Sequence, residues 1–419
     1  MATPTPAAPA WRAVGAAGAI VSVASMVVNG LAYLIPVLAA RLLPADELSV
    51  LATLLAIGAI AAVAGLGLQT AVAVRWARQD AVAGSARIAV LTAAVTAGLI
   101  ILCAPVFAAA LRLAPAQTVL LGLLTFPVVL AGKWLGELQG RERFQRLALG
   151  MVILAVARYG GLVGALAAGL GVTASLAAGV AGAWISVAVL RALAAARPTP
   201  ASPGGSPIRG RDVIRAGTAT LAMLVISYAD VILARYTLPA GPAAAYAVGA
   251  VLAKGALWAP GAITVLALPR LAQGSRSALR IALACVGASG AVLVLASALL
   301  GGLAVRLVGG AAYADLAPYA AGFAAVGALY AVAFVYVNAE IAAGSRWPSA
   351  PLWLAFVGFA GLVGFRPAHD LGELLTLSVG TALAATAMMA VVYAARRRRR
   401  IRSSASEASA PTATANATT

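Results

Sequence analysis

The chain has 419 residues, 63% of them hydrophobic and only 10% charged, with a mean hydropathy of +0.98. A soluble domain is nearer a quarter charged, so an ordinary soluble enzyme is excluded and a polytopic membrane protein is indicated. The net charge of +18 sits mostly between apolar runs, which assigns it to membrane topology and predicts no nucleic-acid partner.

The chain opens with a Pro/Ala-rich segment, residues 1–13, expected to be disordered and cytoplasmic. The first apolar run is too long for a cleaved signal and reads as an uncleaved span. Twelve spans follow in order, at about 14–39, 50–73, 88–111, 118–139, 147–170, 173–194, 216–236, 243–268, 281–305, 317–341, 350–365 and 373–395. They are expected to be helices, because an exposed strand edge cannot be satisfied in lipid. The fold class is therefore all-α, with about twelve transmembrane helices.

The basic residues orient these spans. Twenty-two of the 30 fall in the loops and termini on one side, five fall on the other, and Lys133, Arg158 and Lys254 lie inside spans. The richer side is cytoplasmic, which places both termini there. The run Arg396–Arg400 reads as an anchor near anionic lipid.

The Pro/Gly/Ser-rich stretch 197–215 reads as a cytoplasmic linker between an N-terminal lobe, 14–196, and a C-terminal lobe, 216–395. Residues 396–419 form a basic, then disordered, tail. The lobes look like repeats. Arg41-Leu42-Leu43-Pro44-Ala45 follows the first span and Arg235-Tyr236-Thr237-Leu238-Pro239-Ala240 the seventh; Arg75 closes the second and Arg270 the eighth, at offsets of 194 or 195. Two six-span repeats enter the membrane in the same direction, with a substrate cavity between them. Gly160 and Gly164 form a GxxxG pair, and Pro36, Pro105, Pro127 and Pro260 are candidate hinges.

No loop is long enough for a catalytic domain, and there is no phosphate-binding GxxxxGK[ST]. Asp46-Glu47 and the stretch His369 to Glu373 read as solvated polar loops. One histidine and the two cysteines, Cys103 and Cys285 at different depths, give no expectation of a metal site or a disulfide. The expectation is a transporter with no cofactor.

Charges at membrane depth usually carry function. They are Lys133, Glu137, Arg158, Asp230, Lys254 and Glu340. Lys133 and Glu137 are four apart and share a helix face. Asp230 lies about 9 Å and Lys254 about 16 Å below the outer ends of their helices, so an ion pair across that hairpin is feasible. Arg158 has no obvious partner on its own helix. Arg158, Lys254 and Lys133 are the candidate substrate-binding cations, suited to a phosphate or pyrophosphate head group. Asp230, Glu340 and Glu137 are the candidate ion-coupling acids, for a proton or sodium.

Three stretches resemble a known family. They are Tyr228-Ala229-Asp230-Val231-Ile232-Leu233-Ala234-Arg235, then Ala245-Tyr246-Ala247-Val248-Gly249, then Leu268-Pro269-Arg270-Leu271-Ala272. The opening stretch Ala40-Arg41-Leu42-Leu43-Pro44-Ala45-Asp46-Glu47, with Gly65-Leu66-Gly67-Leu68-Gln69 closing the next span, fits as well. Together they look like bacterial polysaccharide biosynthesis flippases (Wzx-type) of the multidrug/oligosaccharidyl-lipid/polysaccharide exporter (MOP) superfamily. The sequence departs from that pattern at Leu48-Ser49-Val50 and at Ala244-Ala245, where a Gly-Tyr step is usual.

The resemblance implies a MATE-like pair of six-helix lobes and alternating access in the bacterial cytoplasmic membrane. It also implies translocation of a lipid-linked oligosaccharide, usually on undecaprenyl diphosphate, alongside polysaccharide polymerase machinery. The alternatives are an ion-coupled multidrug antiporter of the same superfamily, a membrane glycosyltransferase or ligase, and a scaffold that recruits partners through its basic tail.

Overall fold

In a computed structural model the described residues are 10–77, 85–195, 208–258, 276–343, 345 and 347–408. Pro260, Arg270, most of the linker, the first nine residues and the tail beyond 408 lie outside them. Fourteen α-helices and one 3₁₀ segment build the described chain. Eleven helices are long and apolar enough to cross a membrane, and Ala350–Phe365 is a shorter apolar one.

The N-terminal lobe holds α1 (Ala10–Leu42), α2 (Ala45–Ala77), α3 (Ser85–Leu102), α4 (Ala104–Leu111), α5 (Pro115–Gly140), α6 (Phe144–Ala167) and α7 (Gly171–Ala194). The C-terminal lobe holds α8 (Gly210–Thr237), α9 (Ala240–Trp258), α10 (Arg276–Leu299), α11 (Gly301–Gly309), the 3₁₀ segment Ala311–Tyr319, α12 (Ala320–Ala342), α13 (Ala350–Phe365) and α14 (Leu371–Ala408).

The third span of each lobe is broken at the same place. In the N-terminal lobe the break falls at Cys103, with Pro105 in the first turn of α4, where its missing N–H costs no bond. In the C-terminal lobe it falls at Leu300. Each short helix then ends on a left-handed residue, Arg112 at φ 52° and Gly310 at φ 79°. Pro105 thus divides a span, whereas Pro36 and Pro127 sit inside continuous helices.

At the chain's end the structure departs from expectation. Helix α14 runs on through the arginines to Ala408, beyond the expected end at 395 and into residues expected to be disordered. Arg and Ala are strong helix formers, and neither Gly nor Pro occurs between Gly380 and Pro411. Helix α1 likewise starts at Ala10, inside the segment expected to be disordered.

Lipid gives helices no hydrophobic reason to associate, so packing falls to close contact between small residues. Gly160 and Gly164 do not supply it: a Cβ at either would meet nothing within 4 Å. The working stripe is Gly132, Gly136 and Gly140, one turn apart on α5. A Cβ at Gly136 would stand 2.5 Å from the Gln69 carbonyl, and one at Gly140 2.5 Å from that of Ala73, both on α2. Gly67 of α2 makes a similar approach to Val213 and Gly217 of α8, which joins the two lobes.

The lobes also meet at the face away from the termini. There Ile35, Ala39, Leu48, Leu51 and Leu54 of the first lobe share one apolar cluster with Ala244, Val248, Val305 and Leu316 of the second.

Candidate substrate site

Three residues lie at one depth, counted from the ends of their helices. Tyr33 lies nine residues from the end of α1 at Leu42, Arg158 nine from the end of α6 at Ala167, and Tyr228 nine from the end of α8 at Thr237. At 1.5 Å per residue each is about 14 Å deep, close to the middle of a hydrocarbon core of about 30 Å. Tyr228 is an electrostatic neighbour of both Tyr33 and Tyr159, so the group bridges the two lobes.

Arg158 lies over the ring of Tyr159, 4.1 Å from its centroid, and donates to the Tyr159 hydroxyl. Its Nε is buried without a hydrogen-bond partner, and so is the Tyr33 hydroxyl. Among the described residues no carboxylate pairs with Arg158. A buried polar atom without a partner is costly, so both groups are suited to an incoming acceptor.

Across the divide, Lys254 and Asp230 stand 3.9 Å apart and both are buried. The Lys254 ammonium also donates to the Ser227 carbonyl and lies 4.4 Å from the Tyr228 ring centroid. The Asp230 carboxylate accepts from the Val231 N–H at 2.8 Å and from the Tyr246 hydroxyl at 3.4 Å. Tyr246 in turn shares a 2.8 Å bond with Ser378. The pair that depth made feasible across the α8–α9 hairpin is present, and it extends to α14 through Tyr246. Its two charges offset each other, leaving Arg158 as the uncompensated cation of the group.

The other charged candidates are engaged elsewhere. Lys133 binds Glu137 at 2.8 Å and lies 5.3 Å from the Trp134 ring centroid. Glu340, 2% exposed, holds Arg396 of α14 at 2.5 Å. No described hydrogen bond, ion pair or ring contact joins Lys133, Glu137 or Glu340 to the central group.

Tyr33, Tyr159 and Tyr228 are not among the candidates from sequence, which are all charged side chains. The signal was available: Arg158 and Tyr159 are adjacent, and Tyr228 is two residues from Asp230.

No protein-family model matches the sequence, and no curated protein sequence matches it. Solved structures do match the fold. An inward-facing multidrug resistance MATE family transporter of the MOP superfamily aligns at a TM-score of 0.64 with 15% identity, over 91% of this chain and 96% of that one. An outward-facing MATE family transporter of that superfamily aligns at 0.60 with 16% identity, over 91% and 95%. A eukaryotic MATE transporter aligns at 0.59 with 14% identity, over 90% and 93%. The chain has the MATE fold.

Proposed function

We propose that the protein is an alternating-access transporter of the bacterial cytoplasmic membrane, with both termini cytoplasmic. Its substrate is an anionic lipid-linked oligosaccharide carried on a polyprenyl diphosphate. The observation that carries this reading is Arg158, a guanidinium nine residues from the end of its helix, with no carboxylate partner among the described residues and a buried, unpartnered Nε. A guanidinium in a dry site favours a phosphate oxygen, because it offers charge and directed N–H donors together. The Tyr33 hydroxyl, an electrostatic neighbour of Tyr228, is a further buried donor without a partner. In this reading Asp230, bonded to Lys254 and Tyr246, is the group that a proton or sodium would reach.

The multidrug reading draws on the fold neighbours, which are described as multidrug transporters. An organic cation needs open aromatic faces or free acids. Here the Tyr159 and Tyr228 rings already carry the protein's own cations, and Asp230 is paired. Those contacts favour the anionic substrate.

The test is ligand-dependent thermal stabilisation of the purified protein in lipid nanodiscs. A polyprenyl diphosphate is expected to raise Tm, by mass action on the folded state, and Arg158→Ala is expected to remove the rise. Stabilisation by organic cations such as ethidium, with none by the diphosphate lipid, would overturn the proposal.

A further inference from the structure

The first span of each lobe ends in an arginine, Arg41 on α1 and Arg235 on α8, 194 residues apart. Neither arginine makes its bonds within its own lobe. Arg41 donates from Nη2 to the Leu307 carbonyl of α11, across the divide, at 2.8 Å. Arg235 donates from Nε to the Leu111 carbonyl at 3.0 Å and from Nη2 to the Arg112 carbonyl at 3.3 Å, at the end of α4. Its Nη1 reaches Asp46 Oδ1 at 2.8 Å and Ser49 Oγ at 2.7 Å on α2.

The exchange is reciprocal. The end of each lobe's first span grips the short helix that closes the other lobe's third span. The carbonyls used lie in the last turn or at the cap of those short helices, where no intrahelical N–H is available to them. Breaking the third spans at Cys103 and Leu300 thus creates two helix ends at the interface, each with acceptors for the opposite arginine.

We propose that Arg41 and Arg235 form a two-part latch that holds the lobes together at the face away from the termini, and that this latch must release for that face to open. The proposal rests on the alternating-access reading. Among the described residues every acceptor of both arginines belongs to the opposite lobe, so separating the lobes at this face breaks all five bonds. A residue that stabilised its own lobe would keep its bonds through that motion. Beneath the latch sits a small apolar gap lined by Pro36, Ala39, Leu51, Ala52, Ala247 and Val248, drawn from both lobes. Water entering there on opening would solvate the freed guanidinium groups.

The halves of the latch are unequal. Arg235 is 4% exposed and has four acceptors, whereas Arg41 is exposed and has one. Arg235 is the main bolt. Asp46, whose side chain is 66% exposed, can be changed without touching the core.

The experiment measures thiol accessibility of the full chain in nanodiscs. A background with Cys103→Ser and Cys285→Ser carries a single Ala247→Cys beneath the latch, and a membrane-impermeant maleimide is the probe. Arg235→Ala is expected to raise the labelling rate at least about tenfold, and Asp46→Asn and Arg41→Ala about two- to threefold each. A cysteine at Ala385, buried inside the C-terminal lobe, reports unfolding and is expected to stay unreactive in every variant. Unchanged labelling at position 247 in all three variants would overturn the latch, as would a rise matched at position 385. The readout needs no substrate, so the latch stands or falls separately from the lipid-binding test above.

Discussion

The buried carboxylate of Asp230 and the ammonium of Lys254 face each other at 3.9 Å across the α8–α9 hairpin. Removing one partner of a buried pair leaves an uncompensated charge, at a cost of about 3–5 kcal/mol. Asp230→Asn is therefore expected to lower the unfolding midpoint strongly, and Lys254→Gln to do the same. The double variant, with both charges gone, is expected to recover most of the loss. Thermal unfolding of the four proteins as a double-mutant cycle checks this; additive losses would show that the two residues are not coupled.

A different outcome is expected at Arg158. Its Nε is unpartnered and its only hydrogen-bond acceptor among the described residues is the neighbouring Tyr159 hydroxyl. Arg158→Ala is expected to change stability by less than the Asp230 variant, while weakening binding of a diphosphate lipid by about 10- to 100-fold. That range corresponds to the loss of a charge-assisted hydrogen bond of about 1.5–3 kcal/mol. Arg158→Lys is expected to retain part of the affinity, because the charge stays while the planar fork is lost. Titration of lipid binding in nanodiscs measures both.

The glycine stripe of α5 predicts a contrast. Gly136→Ala places a Cβ against the Gln69 backbone, 2.5 Å from its carbonyl oxygen, where nothing flexible can yield. Overpacking of this kind costs about 1–3 kcal/mol. Gly160→Ala meets no atom within 4 Å and exchanges a poor helix former for the best one, so it is expected to be neutral or mildly stabilising. Equal Tm shifts for the two variants would contradict the packing described for α2 and α5.

Glu340 separates anchoring from ion coupling. It is almost fully buried and holds Arg396 of α14, beyond the apolar part of that helix. Glu340→Gln is expected to speed amide exchange around Arg396 and to lower Tm, while leaving any dependence of transport on a proton or sodium gradient unchanged. Loss of that dependence would instead place Glu340 in the coupling machinery.

Much of the architecture was readable in the chain. Runs of about 20 apolar residues set the spans, and Arg41-Leu42-Leu43-Pro44 with its counterpart at Arg235 marked the repeat. Depth also made an Asp230–Lys254 pair feasible, and the two side chains stand 3.9 Å apart. What remained hidden depended on rotation about helix axes. Depth can be counted along a sequence, but the face a residue presents to another helix cannot when nearly every position is apolar. For this reason the Gly160–Gly164 pair drew attention, while the contacts belong to Gly132, Gly136 and Gly140. The tyrosines were hidden by the same limit. Tyr33, Tyr159 and Tyr228 belong to three helices of two lobes, and only the tertiary fold makes Tyr228 an electrostatic neighbour of the other two. The reach of Arg41 and Arg235 into opposite lobes is a tertiary fact with no local signature.

Arg158 has one more consequence, which concerns voltage. A unit charge crossing the whole transmembrane potential exchanges about 2.3 kcal/mol per 100 mV. A guanidinium at mid-depth, offset by no carboxylate among the described residues, would exchange about half of that if rocking of the lobes carried it through half of the field. The empty protein would then rest with Arg158 turned toward the negative side of the membrane. A bound diphosphate would cancel or reverse that bias, so the membrane potential itself would tell the loaded carrier from the empty one.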